Sequence, residues 1–209
     1  MRYYGQFNPH VDEILHKRYF PDKRGGFFVE CGAYDGMGDS SCRFFEEFMD
    51  WKGLNIEASP RIFALLQKNR PASTNVNLAL SNQNGTASFF DVVSPNGEKS
   101  GNGSLIHTAM QKDMIIGLNQ GWRFSPVEIK TIVYRDLMAN MGIKDVDLLV
   151  LDVEGHELQA IEGMKNGPVP LVMCVEYSFS GQEPISSALA KMGMKLDFCQ
   201  DVNMFFSRR

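Results

Sequence analysis

The chain lacks a strong charge imbalance. Lys plus Arg number 21 and Asp plus Glu 25 over 209 residues, a net charge of −4. That balance argues against a broad phosphate-binding face, so nucleic acid is not the expected partner. Long apolar runs are also missing. No stretch reaches the roughly 18 residues of a membrane span, and residues 1–20 have no apolar core of a secretory signal. Cysteine is sparse: Cys31, Cys42, Cys174 and Cys199 stand far apart without a CxxC pair, which argues against a zinc knuckle or redox motif. A reducing, cytoplasmic setting is the expectation. The dinucleotide fingerprint GxGxxG is absent as well.

Short apolar runs alternate with amphipathic stretches. Residues 27–31 (FFVEC) read as a strand between Gly25-Gly26 and Gly32, and Phe44, Phe45, Phe48 and Trp51 recur at helical spacing over 41–51, with Asp39 or Ser40 as N-cap. Residues 53–57 read as a second strand. Ser59-Pro60 reads as an N-cap followed by Pro at the first helical position, and 76–80 as a third strand. This β-α-β-α-β order favours a parallel sheet covered by helices. Residues 81–133 break the alternation: strands at 86–93 and 127–133 flank a Ser/Pro/Gly/Asn-rich loop at 94–104 and a partly helical 105–122. That block reads as an insertion or substrate lid, and 1–24 as a lead-in to a single domain. The Asn84-Gly85 and Asn102-Gly103 sequons read as turns.

Alternation resumes with helices at 136–141, 158–164 and 184–192. The run 146–153 (VDLLVLDV) is continuous enough for a strand buried on both faces, and 171–175 is another. Two last strands, 195–199 and 203–207, are joined too tightly for a parallel crossover and form an antiparallel hairpin.

Three segments carry chemistry. Glu30-Cys31-Gly32-Ala33-Tyr34-Asp35-Gly36 joins the first strand to the first helix of that alternation. Its glycines let backbone approach a ligand, while Glu30 would repel a pyrophosphate and suits a cation. The alternative is a tight turn with an incidental acid, and Tyr34 either packs on a ligand or is simply exposed. Glu57 closes the second strand, where an acid can hold both ribose hydroxyls. Asp152-Val153-Glu154-Gly155-His156-Glu157 ends the most apolar strand. Should that strand run through position 154, Asp152 and Glu154 point to one side, beside His156. Each of these three could act as base, and the two acids could hold a metal or orient a hydroxyl. HExxH is incomplete, because its second histidine is missing. Glu176 ends the next strand and either lines the same cleft or is solvated.

These segments resemble the FkbM family of S-adenosylmethionine-dependent methyltransferases, through FFVECGAYDG (27–36), WKGLNIEASPRIFALLQKNRP (51–71), NLALSNQNGTASFF (77–90) and VDLLVLDVEGHELQAIEGM (146–164). The resemblance implies an α/β, Rossmann-like class I methyltransferase sheet: seven mostly parallel strands, an antiparallel C-terminal hairpin and helices on both faces. It implies methyl transfer to a hydroxyl of a sugar, glycan or secondary metabolite. Glu30, Gly32, Ala33, Tyr34 and Gly36 would form the cofactor loop and Glu57, with Ala58 beside it, would hold the ribose. Leu80 and Ser81 would lie near adenine, and Asp152 and Glu154 would face donor and acceptor, leaving Asp152, Glu154 and His156 as candidate catalytic residues. A divalent metal and the oligomeric state stay open. The rival readings are a nicotinamide oxidoreductase, a methyltransferase-like binding module without catalysis, and a nucleic-acid methyltransferase.

Overall fold

Residues 1–96, 100–118 and 121–208 are described by a computed structural model of the protein. Residues 97–99 and 119–120, parts of the loop and partial helix expected from sequence, lie outside the described residues. The first half runs α1 (Val11–Tyr19), β1 (Phe27–Cys31), α2 (Arg43–Met49), β2 (Lys52–Glu57), α3 (Pro60–Asn69), β3 (Thr74–Asn77), β4 (Ala79–Ser81) and β5 (Gly85–Val93). The second runs α4 (Ala109–Leu118), β6 (Arg123–Val133), α5 (Tyr134–Asn140), β7 (Leu148–Leu151), α6 (Glu157–Glu162), β8 (Val172–Glu176), α7 (Gln182–Ala190), β9 (Met194–Gln200) and β10 (Asn203–Arg208).

The main sheet has seven strands in the order β3-β2-β1-β7-β8-β10-β9. The first five are parallel, and β10 is antiparallel to both β8 and β9. The continuous apolar runs follow from burial on two faces. Leu149, Leu151, Met173 and Val175 face one layer, with Leu137, Ile161 and Ile185 of α5, α6 and α7. Leu148, Val150, Val172 and Cys174 face the other, with Leu15 of α1 and Phe44 and Phe45 of α2. Leu149 is fully buried. Its replacement by alanine is expected to cost about 3 kcal/mol and lower Tm by roughly 10 °C in a thermal melt.

Several expectations need correction. The N-terminal segment, for which the sequence suggests no element, holds α1, whose Asp12 carboxylate is buried and accepts from the N–H groups of Tyr4 (2.7 Å) and Gly5 (3.0 Å). The single strand expected at 76–80 is two, because the chain leaves the main sheet after Asn77 and β4 joins a second sheet. Asn77 Nδ2 donates there to the carbonyls of Glu57 and Ala58. That sheet has the order β4-β6-β5 and occupies much of the irregular block. Arg61 of α3 ties β5 to the main body through Asp91, at 3.1 Å. The strand expected at 146–153 stops at Leu151, so Asp152 and Glu154 do not share a side by strand alternation. α2 starts at Arg43, whose N–H is accepted by Ser40 Oγ. Ser59 caps α3 as expected, accepting from Ile62 N.

Candidate active site

The carboxyl ends of β1, β2 and β7 open onto one cavity of about 300 Å³. In open α/β sheets, ligands sit beyond these strand ends. Gly32 makes the closest backbone approach. Its φ is +83°, and a Cβ there would sit 1.7 Å from the carbonyl oxygen of Asp152. Only glycine lets the two turns cross.

Glu57 is buried at the cavity wall. One carboxylate oxygen accepts from Tyr34 N (3.0 Å) and the other from Ser59 N (2.7 Å). A carboxylate has about four lone-pair sites, so each oxygen keeps one for a ligand hydroxyl. Burial pushes its pKa up to about 7, against the pull of those N–H groups. Glu30 also lines the cavity, yet its carboxylate is already engaged. It accepts from Ser40 Oγ and Cys42 N, with Arg70 Nη1 at 3.9 Å. Burial raises its pKa as well.

Asp152 and Glu154 meet through a turn. Glu154 adopts φ +53° and Gly155 φ +100°. This folding brings carboxylate oxygens of Asp152, Glu154 and Glu176 within 4.8 Å of one another. Burial and the neighbouring Glu176 push the Asp152 carboxyl well above the usual range. Burial, Glu176 and Glu157 push Glu154 up to about 8. Three acids so close hold shared protons or attract a cation. No His or Cys joins this cluster among the described residues.

His156 lines the cavity, with Nε2 3.1 Å from Ser81 Oγ and Nδ1 buried without a hydrogen-bond partner. Burial lowers its pKa to about 4, so the ring is neutral at pH 7 and a weak base. Ala33, Tyr34, Ala58 and Leu80 also line the cavity. Two residues expected there do not. Gly36 packs under α3, where a Cβ would meet Arg70 Cγ at 2.5 Å, and Ser81 supports His156 from behind.

The wall also takes in the loop expected to belong to a substrate lid, together with residues the sequence does not single out. Gln6 reaches it because Gly5 bridges to Asp39, and Asp91 and residues 100–103 come from the second sheet and its loop. No local pattern marks Gln6 or Asp91, whereas residues 100–103 fall in the Ser/Pro/Gly/Asn-rich loop. Six acids line the cavity, Glu30, Asp39, Glu57, Asp91, Asp152 and Glu154, and no Lys or Arg does so among the described residues.

The sequence profile of the methyltransferase FkbM domain matches residues 30–208. The chain belongs to the FkbM methyltransferase family. No curated protein matches it. Among solved structures, this FkbM domain is similar to Aeropyrum pernix fibrillarin in complex with natively bound S-adenosyl-L-methionine. The TM-score is 0.51 at 9% identity, over 94% of this chain and 72% of that one. A TehB-like SAM-dependent methyltransferase from Corynebacterium glutamicum matches with TM-score 0.48 and 9% identity, over 95% and 87%. Methyltransferase FkbM from Methylobacillus flagellatus KT matches with TM-score 0.48 and 12% identity, over 94% of this chain and 50% of that one. At 9% identity the likeness to fibrillarin is one of fold, and with the seven-stranded sheet and its antiparallel last hairpin the fold is that of class I methyltransferases. No helix among the described residues is long and apolar enough to cross a membrane.

Proposed function

We propose that the cavity binds S-adenosylmethionine and that this FkbM methyltransferase methylates a hydroxyl of a small-molecule or glycan acceptor. The observation that carries the reading is a wall lined by six acids and, among the described residues, no Lys or Arg; Glu30 and Asp91 are paired with Arg70 and Arg61 behind the wall, which leaves Asp39, Glu57, Asp152 and Glu154 to face a ligand. Such a wall favours a ligand with a sulfonium and an ammonium charge. It disfavours the pyrophosphate of a nicotinamide cofactor and the phosphates of a nucleic acid. The residues present fit the group: Glu57 has acceptor sites left for two ribose hydroxyls, and Gly32 gives backbone access.

S-Adenosylmethionine supplies an activated methyl group, so the protein's task is alignment and proton removal. Glu154, with its pKa near 8, is suited to accept the proton of an acceptor hydroxyl at neutral to mildly basic pH. Asp152, raised by burial and by Glu176, can hydrogen-bond the acceptor oxygen when protonated. His156 remains neutral and, held from behind by Ser81, lines the cavity beside Leu80. No step here requires a metal. Residues 100–103 and Leu105, which line the same cavity, are where acceptor choice would reside. Four free cysteines, three of them buried, suit a reducing compartment and support a cytoplasmic setting.

Calorimetry at pH 8 tests the cofactor reading. S-Adenosylmethionine should bind and NADH should not; the reverse result, or binding of neither, removes it. Transfer of labelled methyl to a panel of hydroxyl, amine and RNA acceptors then tests the chemistry. Label on nitrogen or on RNA alone would overturn the hydroxyl assignment.

A further inference from the structure

We infer that Glu157 is a positioning residue of this site: its carboxylate clamps the turn that presents Asp152 and Glu154 to the cavity, and so governs how strongly the site prefers a cationic ligand to a neutral one. The inference rests on the reading of the cavity as an S-adenosylmethionine site.

Glu157 opens α6 and is only 2% exposed. Its side chain folds back over the preceding turn. Oε1 accepts from Val153 N at 3.2 Å and from Gly155 N at 3.0 Å. These two N–H groups flank Glu154, the residue held at φ +53°. Left-handed backbone is unfavourable for a residue with a Cβ and persists only where the surroundings enforce it. Gly155, at φ +100°, has little room of its own: a Cβ there would lie 3.3 Å from both Gln111 Nε2 and Phe179 Cβ. The other carboxylate oxygen of Glu157 accepts from Ser180 Oγ. The loop after β8 that holds Ser180 also holds Ser178, whose hydroxyl donates to Glu176. One buried carboxylate therefore ties the turn of Asp152 and Glu154 to the loop beside Glu176. Without it, Glu154 relaxes out of the left-handed region and its carboxylate leaves the other two.

That change would be felt by a ligand with positive charge at this end. S-Adenosylhomocysteine lacks the methyl group and the sulfonium charge but keeps the rest of the molecule. The ratio of the two affinities therefore reads out the placement of Glu154 without any acceptor. Two conservative variants separate reach from charge. Glu157→Asp keeps the charge but is one methylene too short to span both N–H groups. Glu157→Gln loses the charge but keeps the length and one carbonyl oxygen.

Calorimetric Kd values for both ligands at pH 8 test the inference. Glu157→Asp should lower the preference for S-adenosylmethionine by roughly tenfold, with S-adenosylhomocysteine binding within about twofold of the parent protein. Glu157→Gln should keep the preference within about threefold, because its carbonyl oxygen still accepts both N–H groups. Equal behaviour of the two variants overturns the inference. So does preference lost in Glu157→Gln but kept in Glu157→Asp, which would make charge rather than placement the cause. Parallel loss of both ligands would indicate a merely structural role and overturn it too. Should the parent protein bind neither ligand, the cavity reading itself fails.

Discussion

Replacing Glu57 by alanine is expected to weaken S-adenosylmethionine and S-adenosylhomocysteine alike, by roughly 100- to 10,000-fold at pH 8. Both ligands carry the same ribose, and the loss is that of two hydrogen bonds to an ionised acceptor. Hydrogen bonds to charged groups contribute about 1.5–3 kcal/mol each, which sets the scale. Each Glu57 oxygen already accepts one backbone N–H, from Tyr34 or from Ser59, which fixes the carboxylate's orientation before a ligand arrives. Glu57→Gln should be nearly as damaging. Whichever way the amide is turned, its NH2 group faces a backbone N–H, donor against donor. Calorimetric titration checks both variants, and circular dichroism checks that the fold is retained. A change under threefold in either variant removes Glu57 from the ribose role. The contrast with Glu157 is diagnostic: Glu57 acts on both ligands equally, Glu157 on their ratio.

The sheet was legible in the sequence because its signals are local. Leu148 to Leu151 alternate between two buried faces, so every position is apolar. The last hairpin has only Asp201 and Val202 between its strands, with Asp201 at φ +51°. Ser59-Pro60 starts α3 by its own chemistry. Other features depend on distant partners. α1 buries little more than Val11, Leu15 and the Asp12 carboxylate, so no apolar stripe announces it. The break between β3 and β4 has no Gly or Pro to mark it, since Asn77 binds carbonyls 19 and 20 residues away.

The candidate site divides along the same line. Glu30, Gly32, Glu57, Asp152 and Glu154 sit at or just beyond strand ends, where position alone makes them suspects, and all five line the cavity. That Glu30 spends its carboxylate on Ser40 and Cys42 is a tertiary fact. The meeting of Asp152 and Glu154 with Glu176 depends on a left-handed residue and on a buried glutamate in the next helix. Neither is visible as a pattern. Alternation along a strand expects Asp152 and Glu154 on one side, whereas the chain brings their carboxylates together through a turn.

The pH dependence of binding follows from that cluster. Between pH 6 and 9 the ratio of S-adenosylmethionine to S-adenosylhomocysteine affinity is expected to rise, by roughly tenfold or more. The sign follows from charge. A permanent sulfonium favours ionised Glu154, whose pKa is pushed up to about 8. At pH 6 most molecules hold it protonated, whereas by pH 9 most have it ionised, and apparent affinity scales with the competent fraction. Binding the cation therefore releases a proton across this range. Glu57, at about 7, adds a second dependence that acts on both ligands through the ribose and cancels in the ratio. The ligand ammonium is common to both and cancels likewise. His156, lowered to about 4, is neutral throughout the window. Asp152, raised well above its ordinary value beside Glu176, can only add to the rise. In Glu154→Gln the ratio should be lower at pH 9 and its slope much flatter, while S-adenosylhomocysteine keeps the slope due to Glu57. A ratio independent of pH in the parent protein would mean that the three carboxylates do not face the sulfonium, and the assignment of Glu154 as the proton acceptor would fall with it.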